Sequence, residues 1–147
     1  MAQAALEIDV QIEVPDWRKA WPGAARDARK LIRLAAGRPE LAPAFGSVAV
    51  VFADDRRLKA LNAQFRGNNR PTNVLSFPDP VVPLGGMALA FETVKREANG
   101  QKKDFVNHSK HLILHGFLHL LGYDHRTARG ARLMEGLEIA ILSAMGI

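Results

Sequence analysis

The sequence contains no cysteine. That excludes disulfides and any metal site built on thiolates, leaving imidazole, carboxylate and water as the available ligands. No apolar run comes near the roughly 20 residues a membrane span requires, so a cytoplasmic protein with no membrane partner is expected. Internal repeats and Pro/Gly-rich linkers are missing too. The 147 residues are therefore read as one domain, 1–147, long enough to bury a core without covalent staples. Hydrophobic residues make up 48% and charged residues 24%, which sets the chain apart from disordered sequences.

Negative charge is scarce in one half only. Residues 1–54 carry seven Lys/Arg against seven Asp/Glu, whereas residues 55–147 carry thirteen against eight. The whole excess of +5 thus lies in the second part. Such a basic surface serves solubility or the docking of a polyanion, nucleic acid among them.

Periodicity outlines an α/β fold. Residues 5–14, "ALEIDVQIEV", alternate apolar and polar side chains as a half-buried strand does. Helical spacing follows from Pro22 to Gly37, with the glycine expected at a left-handed end. "SVAVVFA" at 47–53 reads as a strand covered on both faces. Asp54 or Asp55 then caps a helix that buries Leu58, Leu61 and Phe65 and stops at Gly67. The polar loop 66–73 leads into a short strand, "VLSFP", at 74–78. A strand over 86–91 and a short basic helix ending at Asn99-Gly100 come next. Two helices close the chain, 104–121 with a turn at Gly122, and 127–145 with Leu133, Leu137, Ile141 and Leu142 inward. The expected architecture is a single α/β domain with a small mixed sheet of about four strands, packed by helices.

All five histidines fall between positions 108 and 125. His115 and His119 are four apart, so on a helix they project from one face a turn apart, and two imidazoles there can share a transition metal at about 2.0–2.1 Å. His111 extends the stripe but lies roughly 12 Å along the axis from His119, too far to share the ion. Gly122 lets the helix end, and His125 follows on the returning chain. Three histidines on a helix and its turn leave one coordination position open, as a catalytic zinc site does; nickel and copper also accept three imidazoles. A hydrogen-bonded core histidine is the ordinary fate of a single such residue. Three at this spacing on an apolar helix point instead to a metal, which offsets the cost of burying them.

The spacing matches the metzincin protease pattern H-E-x-x-H-x-x-G-x-x-H at every position but one. Gly116 stands where those proteases carry the glutamate that takes a proton from metal-bound water. A metalloprotease is thereby demoted. Among the neighbours, His111 is read either as a group supporting the site or binding substrate, or as a satisfied core histidine. His108 is expected exposed, and Asp124 is expected to cap the last helix rather than orient a ligand. Glu135 and Glu138 are read as solvated, and Thr72, Asn73 and Ser76 as shaping the turn.

"HLILHGFLHLLGYDH" (111–125), "LNAQFRGNNRPTNVLSFP" (61–78) and "MEGLEIAILSAMG" (134–146) together resemble the YbeY family of bacterial single-strand-specific endoribonucleases. The resemblance implies an α/β fold with one zinc per chain on His115, His119 and His125. It implies that Arg66 is a catalytic residue, and that the partner is single-stranded rRNA of the small ribosomal subunit, with ribosome-associated proteins beside it. The implied function is rRNA maturation and ribosome quality control. The alternative of a different class is a ribosome-assembly factor that binds RNA and protein around a largely structural zinc. One departure stands out: where the family commonly has L-G-D-I, this chain reads "LGGMAL", with Gly86 in place of the aspartate. After His125 the chain carries Arg126, Arg129 and Arg132 where relatives are often acidic, which makes the rim more basic.

Overall fold

The computed structural model describes residues 6–41, 43–66, 72–79, 81 and 84–147, with the backbone alone for 65 and 66. In chain order the elements are β1 (Leu6–Ile12), α1 (Asp16–Ala20), α2 (Ala24–Ala36), β2 (Gly46–Ala53), α3 (Asp55–Arg66), β3 (Val74–Pro78), β4 (Leu84–Ala90), α4 (Phe91–Gly100), α5 (Phe105–Leu120) and α6 (Ala128–Ala144). The strands form one mixed sheet in the order β1-β2-β4-β3. β1 runs parallel to β2 and β2 to β4, while β3 pairs antiparallel with β4 at the edge. This is the expected α/β class with its small mixed sheet.

Alternation along the strands divides the core between two faces. Val48, Val50, Phe52, Met87 and Leu89 point to the side covered by α2 and α5, where Leu31, Ile32, Ile113, Leu114, Phe117 and Leu118 meet them. Ala53, Leu75, Ala88 and Ala90 point the other way, against Leu58 of α3. The apolar character of α5 nearly all round follows from its place: it lies between the sheet, α4 and α6. Trp17 fills the end of the main core in edge contact with Phe52 and Phe91, and its indole N–H donates to the Ala53 carbonyl at 2.8 Å.

Several boundaries differ from the sequence reading. The five-residue α1 was not anticipated; with a proline just before it, it carries little periodic signal. α2 starts at Ala24 rather than Pro22, and Gly37 ends it in a right-handed conformation (φ −85°). β4 covers 84–90, and Phe91 already belongs to α4. Asp54 is the residue that caps α3, accepting from the Arg57 N–H at 2.9 Å. α6 turns Ile141 inward as expected, with Leu137 and Leu142 partly buried, but Met134 and Glu138 join the buried face and Leu133 is exposed. No helix is long and apolar enough to cross a membrane, among the described residues.

Candidate metal centre

The site grows from the end of α5. Asp104 starts the helix by accepting from the Asn107 N–H at 3.0 Å. After the sixteen residues of the helix, the Gly122 N–H returns to the His119 carbonyl and the Tyr123 N–H to the Leu118 carbonyl, at 3.0 and 3.1 Å. Such a pair of bonds closes a helix through a left-handed residue, and Gly122 has φ +103°. The chain then doubles back toward the helix it has just left. α6 begins when Thr127 accepts from the Gly130 N–H at 2.9 Å. Thr127, not Asp124, is therefore the cap; the Asp124 carboxylate accepts from the Arg126 N–H instead. Gly130 lets the turn lie close, since a Cβ there would stand 2.8 Å from the Asp124 carbonyl oxygen.

This reversal brings the three histidines together. His115, His119 and His125 each offer a ring nitrogen, and all three lie within 4.8 Å of one another. The Nε2 atoms of His115 and His119 are 3.1 Å apart. Two nitrogens bound tetrahedrally to one zinc are separated by about 3.3 Å, so the pair already stands at the spacing one ion demands. The donor set is all imidazole, and it suits zinc and its divalent neighbours. His115 and His119 are half-buried and His125 is exposed, so the trio faces outward on one side.

Gly116, between the first two ligands, points into the sheet. A Cβ at this position would sit 3.0 Å from Met87 Sδ and 3.1 Å from Ser76 Oγ. A glutamate side chain at this position would press on both of these groups.

Glu138 was read as solvated and is in fact buried, at 7% exposure. One of its oxygens lies 2.7 Å from His115 Nδ1 and the other 2.6 Å from His111 Nε2. Burial acts to raise its pKa, but the hydrogen bonds from His111 and His115, with their nearby charge, win and hold it at about 2. Its position was hidden in the sequence because it is set by how α6 rotates onto α5. The signal available was its spacing with Met134 and Ile141, which mark the inward face. His111 is thus a partner of this carboxylate. His108 is also buried, contrary to expectation, with Nε2 3.0 Å from Glu97 on α4.

A cavity of about 490 Å³ adjoins the trio, with Ser76, Pro78, His119, Tyr123, Asp124 and Arg126 among its walls. Ser76 contributes by donating to the Gly116 carbonyl at 3.0 Å. Asn73 shapes the entry to β3, its side chain accepting from the Val74 N–H and donating to Glu97. The Arg66 side chain, with Gly67 and Arg70, lies outside the described residues. Gly86 is explained by its cross-strand neighbour: a Cβ would meet the Phe77 ring at 2.6 Å, so the ring occupies the space a side chain at 86 would need.

Comparison with known proteins gives consistent matches over nearly the whole chain. A family model described as Endoribonuclease YbeY matches residues 11–146. A protein named Endoribonuclease YbeY from Paramagnetospirillum magneticum is 42% identical, covering 97% of this chain and 93% of the relative. Its namesake from Nitrobacter winogradskyi is 40% identical over 100% of this chain and 83% of its own. Among solved structures, the solution structure of a Thermotoga maritima protein matches with a TM-score of 0.57 and 23% identity, covering 94% of this chain and 91% of that one. The last likeness concerns the fold.

Proposed function

Because this chain belongs to the endoribonuclease YbeY family, we propose that it is a zinc-dependent endoribonuclease that cuts single-stranded rRNA of the small ribosomal subunit in the cytoplasm. The observation that carries this reading is the convergence of His115, His119 and His125 with an exposed side. A divalent ion held there would polarise a phosphoryl oxygen and lower the pKa of bound water toward about 7.

The chain's own residues supply the rest. The trio fixes where the scissile phosphate is drawn. Arg66 offers a planar, permanently charged fork suited to two phosphate oxygens. Arg126 shares the walls of the adjoining cavity with His119 and Asp124, and its guanidinium can meet an RNA phosphate there. The charge excess of residues 55–147 supports approach of a polyanion.

The test is cleavage of single-stranded RNA by highly purified protein, with variants purified identically. His115→Ala should lose the metal by elemental analysis and lose cleavage. Arg66→Ala should keep the metal and lose cleavage. Retained cleavage in His115→Ala would overturn the metal-dependent reading. RNA binding without any cut product from the wild type would replace it with an assembly factor built around a structural metal.

A further inference from the structure

α6 inverts the usual amphipathic order at one place. Glu138 faces inward at 7% exposure while the next residue, Ile139, is 67% exposed. A buried carboxylate is costly unless it is fully paired, and departures from local rules of this kind gather at functional positions. Here the pairing is complete on both oxygens: one takes His115 and the other His111, at 2.7 and 2.6 Å.

A carboxylate only accepts, so each imidazole must present an N–H to it. His115 then turns its Nδ1–H to Glu138 and its Nε2 toward the trio. That is the nitrogen 3.1 Å from His119. His111 carries its proton on Nε2. The ring planes are fixed together with the tautomers, because each N–H must aim at its own oxygen. Met134 and Ile141 are buried on the same face of α6 as the carboxylate.

We propose that Glu138 is a positioning residue, which uses one oxygen to set His115 for metal ligation and the other to anchor itself on His111. The inference rests on the reading that the trio holds an ion. The role of α6 is then to deliver a carboxylate to the back of the first ligand, a common support of metal-bound histidines. His111 matters because a singly anchored carboxylate is free to swing about its side-chain torsions.

Three measurements test it. Long-range proton–nitrogen NMR on metal-free, nitrogen-15-labelled wild type should show His115 protonated on Nδ1 and His111 on Nε2; the opposite tautomer of His115 overturns the proposal. This needs neither a variant nor a bound ion, so it stands even where the trio itself fails to take up zinc. Zn(II) affinity, from competition with a chromophoric chelator, should fall 10–100-fold in Glu138→Gln while circular dichroism is unchanged. Affinity equal to wild type overturns the proposal. The single variant His111→Ala, which leaves the carboxylate singly anchored, should also bind Zn(II) more weakly than wild type. Affinity equal to wild type in His111→Ala overturns the anchoring role of that ring. Should Glu138→Gln fail to fold, the wild-type tautomers decide.

Discussion

The Ser76 hydroxyl donates to the carbonyl of Gly116 at 3.0 Å, joining the edge strand β3 to α5 between its two metal-ligand candidates. Helix and strand meet here without a side chain from the helix. The contact is what a glycine permits, and it sets how far the trio stands from the sheet.

Replacing Gly116 should therefore act on stability first. Alanine would press its Cβ on Met87 Sδ and Ser76 Oγ at about 3 Å. Methionine can yield, so a loss of about 1–3 kcal/mol is expected from overpacking, read from urea denaturation. Gly116→Glu would bury an unpaired charge as well. That variant should yield no folded protein, and it should not gain peptidase activity.

Glu97 joins two parts of the structure that the sequence separates. Its carboxylate accepts from the Asn73 side chain ahead of β3 at 2.9 and 3.2 Å, and pairs with His108 of α5 at 3.0 Å. His108 Nδ1 is already buried with no hydrogen-bond partner among the described residues. Glu97→Ala should leave both nitrogens of that ring unsatisfied and destabilise by about 1–3 kcal/mol. Glu97→Gln keeps one acceptor and should cost less. Chemical denaturation of the two variants side by side gives the order.

Two glycines should respond to alanine in opposite directions. Gly85 has φ +137°, and a Cβ there would lie 2.5 Å from the Phe77 carbonyl oxygen and 2.7 Å from the Asp79 nitrogen. Backbone of the paired strand cannot easily yield, so Gly85→Ala should cost at least the roughly 1–3 kcal/mol of a strained residue. Gly136 sits inside α6 with open space around it. Gly136→Ala should stabilise by about 0.5–1 kcal/mol, the ordinary helical difference between the two residues. Thermal unfolding of both variants under one buffer settles the signs.

What was legible in the sequence follows from what spacing encodes. The trio was readable because i, i+4 and a glycine reversal are local geometry, and the fold keeps them local. The strands were readable from β-branched runs and alternation. Glu138 and His108 were not, because each is buried by a neighbouring helix whose rotation no local pattern records. Leu133 failed for the same reason: α6 chooses the face that meets α5 with Met134, Glu138 and Ile141, and the leucine at 133 is left outside. Asp124 was a reasonable cap by residue type, but its carboxylate accepts from the Arg126 N–H, and Thr127 takes the position.

The trio is split across the left-handed reversal at Gly122, with two members on the helix and the third on the returning strand of chain. Any ion they share acts as a cross-link over the short span from His119 to His125. That span should then resist nicking by a protease when zinc is present and become the first point of cleavage when a chelator removes it, while the sheet on the other side of α5 stays intact.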